Sequence, residues 1–137
     1  MNKTKLFLSL RLSEIHNDIK DSQAINDIYE IIPVLKEERR RWKTAHDQIN
    51  KPDAQSEQIR NLLANEKERS QTILAKYREK VETLTNGLVS IEDRNGGKTN
   101  ELLIAEVNKA RKDMAVWQSR LEFIDDCLKE LQLIKAA

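Results

Sequence analysis

The segment Lys36-Glu37-Glu38-Arg39-Arg40-Arg41-Trp42-Lys43 gathers five basic residues against two acidic ones and sets an indole beside the guanidiniums. Guanidinium groups grip carboxylate or phosphate through paired N–H donors, and an indole face stacks on a base. Arg39, Arg40, Arg41, Trp42, Lys43 and the nearby His46 are therefore the candidate contacts for a protein or nucleic-acid partner. On a helix these side chains point in several directions rather than forming one flat patch. Glu37 and Arg41 stand at the spacing of a helical ion pair.

The other reactive residues are scattered. His16 and His46 are the only histidines, and neither lies in a zinc-protease or Glu-x-x-His arrangement. No metal site is expected, because a third ligand is missing from both neighbourhoods. Cys127 is the single cysteine, so a buried structural thiol is expected rather than a disulfide or a multi-cysteine metal centre. Gly96-Gly97-Lys98-Thr99 looks like the end of a phosphate-binding loop. Position 92, where that loop needs its first glycine, is Glu92, and the preceding element is a helix rather than a strand. It reads as a hairpin turn. With no carboxylate dyad, nucleophile–base set or nucleotide fingerprint, neither an enzyme nor a cofactor is expected.

Composition fits that reading. Of 137 residues, 34% are charged and only 4% aromatic, with 3 Gly and 2 Pro, so turns are few and elements must be long. The net charge of +1 argues against a dominant polyanion-binding role. The longest apolar cluster, Leu6 to Leu12, is interrupted by Ser9 and Arg11 and is far short of the ~20 apolar residues a spanning helix needs. It is also too short for a secretory signal core, so a cytoplasmic protein is expected.

Helical periodicity then places the residues. Leu103, Val107, Ala110, Met114, Trp117, Leu121, Ile124, Leu128 and Leu131 alternate spacings of 4 and 3, which predicts a helix over about 99–135. Ser70, Leu74, Tyr77, Val81, Leu84, Leu88 and Ile91 repeat the pattern, with Ile59, Leu62 and Leu63 upstream, in a helix over about 53–92. The polar run Asn65 to Arg69 interrupts that stripe. Gly87 inside it costs about 1 kcal/mol relative to Ala and marks either a close helix approach or a frayed end. Ile28, Ile32, Leu35, Arg39, Trp42, His46 and Ile49 define a helix over about 22–50, which Pro33 kinks or restarts near Ile31. Two of those seam positions are polar. Leu8, Leu12, Ile15 and Ile19 give a shorter helix over about 4–20, with a bend expected near Asp21-Ser22. The alternation of Leu6, Leu8, Leu10 and Leu12 is the competing signal, for a short strand. Turns are expected at Asn50-Lys51-Pro52-Asp53 and Asp93 to Lys98, with Asp53 and Thr99 as N-caps.

Short connections make neighbouring helices antiparallel. Counting outward from the second turn sets Leu88 opposite Leu103 and Leu74 opposite Trp117. Counting from the first sets Trp42 opposite Leu62. Layers such as Ile28/Leu74/Trp117 and Trp42/Leu62/Leu128 follow. Arg39 falls near Glu66 or Glu68 and near Asp125 or Asp126, giving an internal ion network or a docking point. The last helix also carries Leu102, Ile104, Val116, Phe123, Leu133 and Ile134 off its stripe, which call for cover from the first helix or a second copy.

The sequence thus specifies an all-α single domain over 1–137, an elongated antiparallel bundle or coiled-coil hairpin of three long helices and a shorter N-terminal one. The expected role is a non-enzymatic protein-interaction module, an adaptor, chaperone or assembly component acting through a helix face and forming a homodimer. The alternative is a nucleic-acid accessory protein using the Arg39–Lys43 cluster.

Overall fold

A computed structural model describes residues 2–27, 30–49, 56–94 and 101–136, with side chains placed over 3–27, 30–49, 57–90 and 101–132. The described residues form four helices and no strand: α1 (Asn2–Ala24), α2 (Ile32–Gln48), α3 (Ser56–Arg94) and α4 (Glu101–Ala136). The all-α reading therefore holds. Asp93 and Arg94, expected in the second turn, instead end α3; the rest of that turn, 95–98, the turn expected at 50–53, the caps Asp53 and Thr99, and the seam residue Ile28 lie outside the described residues.

Residues 6–12 are helix, and the strand alternative is corrected. Thr4, Phe7, Leu8, Arg11, Ile15, Ile19 and Ser22 are all buried at helical spacing. Leu6 and Leu10 share the outer face and stay exposed, so the leucine alternation is incidental to a helix whose first turns are apolar on both sides. The same inner face carries α1 through Ser22 to Ala24, past the expected bend at Asp21-Ser22.

The chain breaks after α1 instead. Asn26, Asp27 and Glu30 all take left-handed backbone, with φ of 57°, 50° and 54°. Asn26 and Asp27 are among the few L-residues that tolerate it; Glu30 is not. The carboxylate of Asp27 then caps the next helix. Its Oδ1 accepts from the backbone N–H of Ile31 at 2.9 Å and of Ile32 at 3.2 Å. These are donors that a helix start leaves without intrahelical partners. Pro33 follows within the first turn, where its fixed φ and missing N–H cost nothing. It starts α2 rather than kinking a helix over 22–50.

Contacts divide the chain into two units, residues 1–65 with 123–137 and residues 66–122. In the first, α1, α2, the start of α3 and the end of α4 enclose one core. Phe7, Leu8, Ile15, Trp42, Ile49, Ile59, Leu63, Ile124, Cys127 and Leu131 are almost wholly buried there. Phe7 is its hub: its ring lies 6.2 Å from Trp42 and 5.4 Å from Phe123, both tilted, the geometry that aromatic quadrupoles favour. α1 thus covers Phe123, one of the off-stripe residues of α4. Leu62 and Leu128 pack against the same core as Trp42, as the expected layer requires. Lys3 closes one end, donating from Nζ to Asp126 at 3.3 Å and from its backbone N–H to Glu130 at 3.1 Å. Thr4 Oγ1 donates to the carbonyl of Cys127.

In the second unit α3 and α4 pair antiparallel. Glu66 meets Arg120 and Arg78 meets Gln118, which brackets the register counted from the sequence. Leu74, Val107, Ala110 and Leu121 are buried, and Tyr77, Val81, Leu84, Leu88, Leu103, Met114 and Trp117 are half-buried on the same stripes. A Cβ added at Gly87 would meet nothing within 4 Å, so the close-approach reading of that glycine is corrected.

Candidate functional site

The basic cluster of α2 is divided by the helix into distinct faces. Trp42 points inward and is 2% exposed, and its Nε1 donates to Glu38 at 3.3 Å. Buried against Phe7, this indole has no face left for a base. Its seam position predicted that, and it removes the stacking platform from the expected cluster.

Lys36, Arg39, Arg40 and Lys43 line one shallow hollow of about 360 Å³. They stand at i, i+3, i+4 and i+7, so four of the five basic residues share a face after all, and the expectation of scatter is corrected. Glu37 and Glu38 line a different hollow, with Pro33, Val34 and Arg41. The helix therefore places Lys36, Arg39 and Lys43 on a different face from Glu37 and Glu38, with Arg41 on the carboxylates' side. The bridge between them is Glu37. It accepts two hydrogen bonds from Arg40, at 3.0 Å from Nε and 2.6 Å from Nη2, and lies 3.5 Å from Arg41 Nε. The Arg40 hydrogen bonds hold the Glu37 carboxyl below its ordinary range and raise the Arg40 guanidinium correspondingly. The Glu37–Arg41 pair expected from spacing forms, but the bidentate partner is Arg40.

A third hollow, a groove of about 310 Å³, runs between α2 and the start of α3. Arg40, Arg41, Thr44 and Gln48 stand on the α2 side; Gln58, Asn61 and Asn65 stand on the α3 side. Ala45, Ile59 and Leu62 form its floor. Sequence reasoning missed the α3 wall. Its signal was available: with Ile59 and Leu63 turned inward, positions 58, 61 and 65 must flank the α2 face, and all three carry carboxamides.

His46 does not join any of these hollows. Its Nε2 lies 3.0 Å from Ser9 Oγ, tying α2 to α1, and its Nδ1 lies 3.7 Å from Asp47. His16 is exposed on α1. Among the described residues no group of three or more His, Cys, Asp or Glu could hold a metal ion. Burial pushes the Cys127 thiol up to about 12, far from thiolate reactivity at neutral pH.

Two of the four acids that the register placed near Arg39, Asp126 and Glu66, are engaged by other cations. Lys3 takes Asp126. Glu66 accepts from Arg69 at 3.0 Å and from Arg120 at 2.8 Å, with Glu66 and Arg120 both more than nine-tenths buried. Both guanidiniums also lie over the Trp117 ring, 5.6 Å and 5.2 Å from its centre, where the ring's negative face attracts cations. This network sits within the second unit.

No protein-family model, curated protein or solved structure matches the chain. No helix of the described residues is long and apolar enough to cross a membrane.

Proposed function

We propose that the protein is a non-enzymatic interaction module that receives a partner chain on the α2–α3 groove. The observation that carries this reading is the lining of that groove: a shallow apolar floor under two guanidiniums and four carboxamides. Grooves of this kind exclude water at the centre and fix orientation at the rim. The chemistry suits an adaptor, chaperone or assembly component working in the cytoplasm, and it uses Arg40 and Arg41 from the candidate cluster. Leu102 and Val116, 81% and 64% exposed on α4, support self-association through that helix as a homodimer, testable as a doubling of mass in light scattering.

Affinity capture from the native source tests the docking reading. A partner chain retained by the wild type and lost by an Asn61→Arg variant supports it. Equal retention by both, or retention by neither, overturns it.

A second reading rests on the shared face of Lys36, Arg39, Arg40 and Lys43. A row of cations is a footprint for phosphates, and it would make the protein a nucleic-acid accessory factor. Binding to oligo-dT that weakens steeply with salt would favour it.

A further inference from the structure

The groove and the basic hollow adjoin at Arg40, which lines both. Together their linings contain every basic residue of the cluster and no carboxylate side chain. Glu37 takes up part of the charge of Arg40 and approaches Arg41, and the cations in excess of it still favour a negatively charged complement. The neutral polar groups narrow the choice further. Gln48, Gln58, Asn61 and Asn65 each offer both a donor and an acceptor, which is the pairing an extended peptide backbone requires along its length. Phosphodiester backbones offer acceptors only, so half of each carboxamide would go unused. With Trp42 buried, no aromatic side chain lines the groove to stack on a base.

We infer that the groove binds an extended peptide segment of a partner protein, with the segment's backbone read by the carboxamides and its Asp or Glu side chains held by Arg41, Arg40 and the basic hollow beyond. This rests on the docking reading above and names the chemistry of the partner. Arg41 carries the larger share of the carboxylate contact, because Glu37 already holds two N–H groups of Arg40 and only approaches Arg41 at 3.5 Å.

Fluorescence polarisation on the full chain tests the inference, using labelled peptides of alternating glycine with aspartate, serine or lysine, and labelled oligo-dT, at physiological ionic strength. The aspartate peptide is expected to bind about tenfold or more tighter than the serine peptide, the factor that one well-placed charged contact supplies. Arg41→Gln should remove most of that preference. Gln58→Ala with Asn61→Ala should weaken the aspartate peptide severalfold while leaving net charge unchanged, an effect that charge attraction alone would not produce. All these positions are exposed, so circular dichroism should show the fold intact. Equal binding of the three peptides, insensitivity to the carboxamide variants, or tighter binding of oligo-dT than of the aspartate peptide overturns the inference. A partner captured in an Asn61-dependent way but carrying no acidic segment would overturn it while leaving the docking reading standing.

Discussion

Arg120 of α4 donates from Nη2 to Glu66 Oε1 of α3 at 2.8 Å, and both side chains are almost entirely removed from water. Glu66 fills the seam position between Leu63 and Ser70 that an apolar residue would otherwise occupy. Two buried charges recover their desolvation cost only from each other and from further partners: here Arg69 donates to the carboxylate and the Trp117 ring face attracts the guanidiniums. Removing one partner should therefore cost much more than removing both. Glu66→Leu or Arg120→Leu alone is expected to lose about 3 kcal/mol or more, and the double variant to recover most of it. Urea denaturation of the four proteins checks this; additive losses would refute it.

Gly87 should be replaceable with a gain. It lies inside α3, and the space where a Cβ would stand is open. Gly87→Ala should stabilise the protein by about 0.5–1 kcal/mol through the lower entropy of the unfolded helix segment. A drop in denaturation midpoint would show that the glycine has a use in the unit's packing.

The turn between α1 and α2 stores strain at one residue that has no chemical reason to tolerate it. Glu30 has φ of 54° and an exposed side chain, so Glu30→Gly should stabilise by up to about 1 kcal/mol. Asp27→Ala should do the reverse, by about 1 kcal/mol, because Ile31 and Ile32 lose their carboxylate acceptor. Thermal melts of both variants read the opposite signs directly.

Cys127 should be inert in the folded chain. Its thiol titrates at about 12 rather than the ordinary 9.0, chiefly because burial penalises the thiolate. Alkylation at mildly alkaline pH should be slow until denaturant is added, then immediate. The sign of the stability effect follows from linkage: the folded pKa exceeds the unfolded one, so the contribution is complete below pH 9 and is lost as pH rises toward 12. A Cys127→Ala variant should lose less stability over that interval than the wild type does.

These features differ in how far they could be read from residues alone. The α4 stripe was legible because an apolar residue stood at every seam position. The α3 stripe was legible only on either side of Asn65 to Arg69, because a buried ion pair presents itself in sequence as a solvated charge run. The spacing from Ile59 and Leu63 to Ser70 and Leu74 leaves position 66 facing inward, but its partner Arg120 lies on α4 beside the stripe, where only the three-dimensional register brings it in. The start of α2 was legible only as one of two options, a kink at Pro33 or a restart near Ile31, and the restart is what forms. Pro33 announced a disruption, while the residue that makes it a clean helix start, Asp27, lies six positions upstream. Periodicity put Trp42 on the seam while its basic neighbours made it a candidate contact, and its burial decides for the seam. The groove wall on α3 was not read, since Gln58, Asn61 and Asn65 carry no charge or reactive group that composition singles out.

Recognition of an acidic extended peptide by the α2–α3 groove has a direct spectroscopic signature. Titrating the isotopically labelled protein with the aspartate peptide and following its nitrogen–proton NMR spectrum tests this most directly. The side-chain amides of Gln48, Gln58, Asn61 and Asn65 and the Nε–H of Arg41 should shift together and saturate at one concentration. Shifts confined to Lys36, Arg39 and Lys43, or spread over both units without saturation, would contradict it.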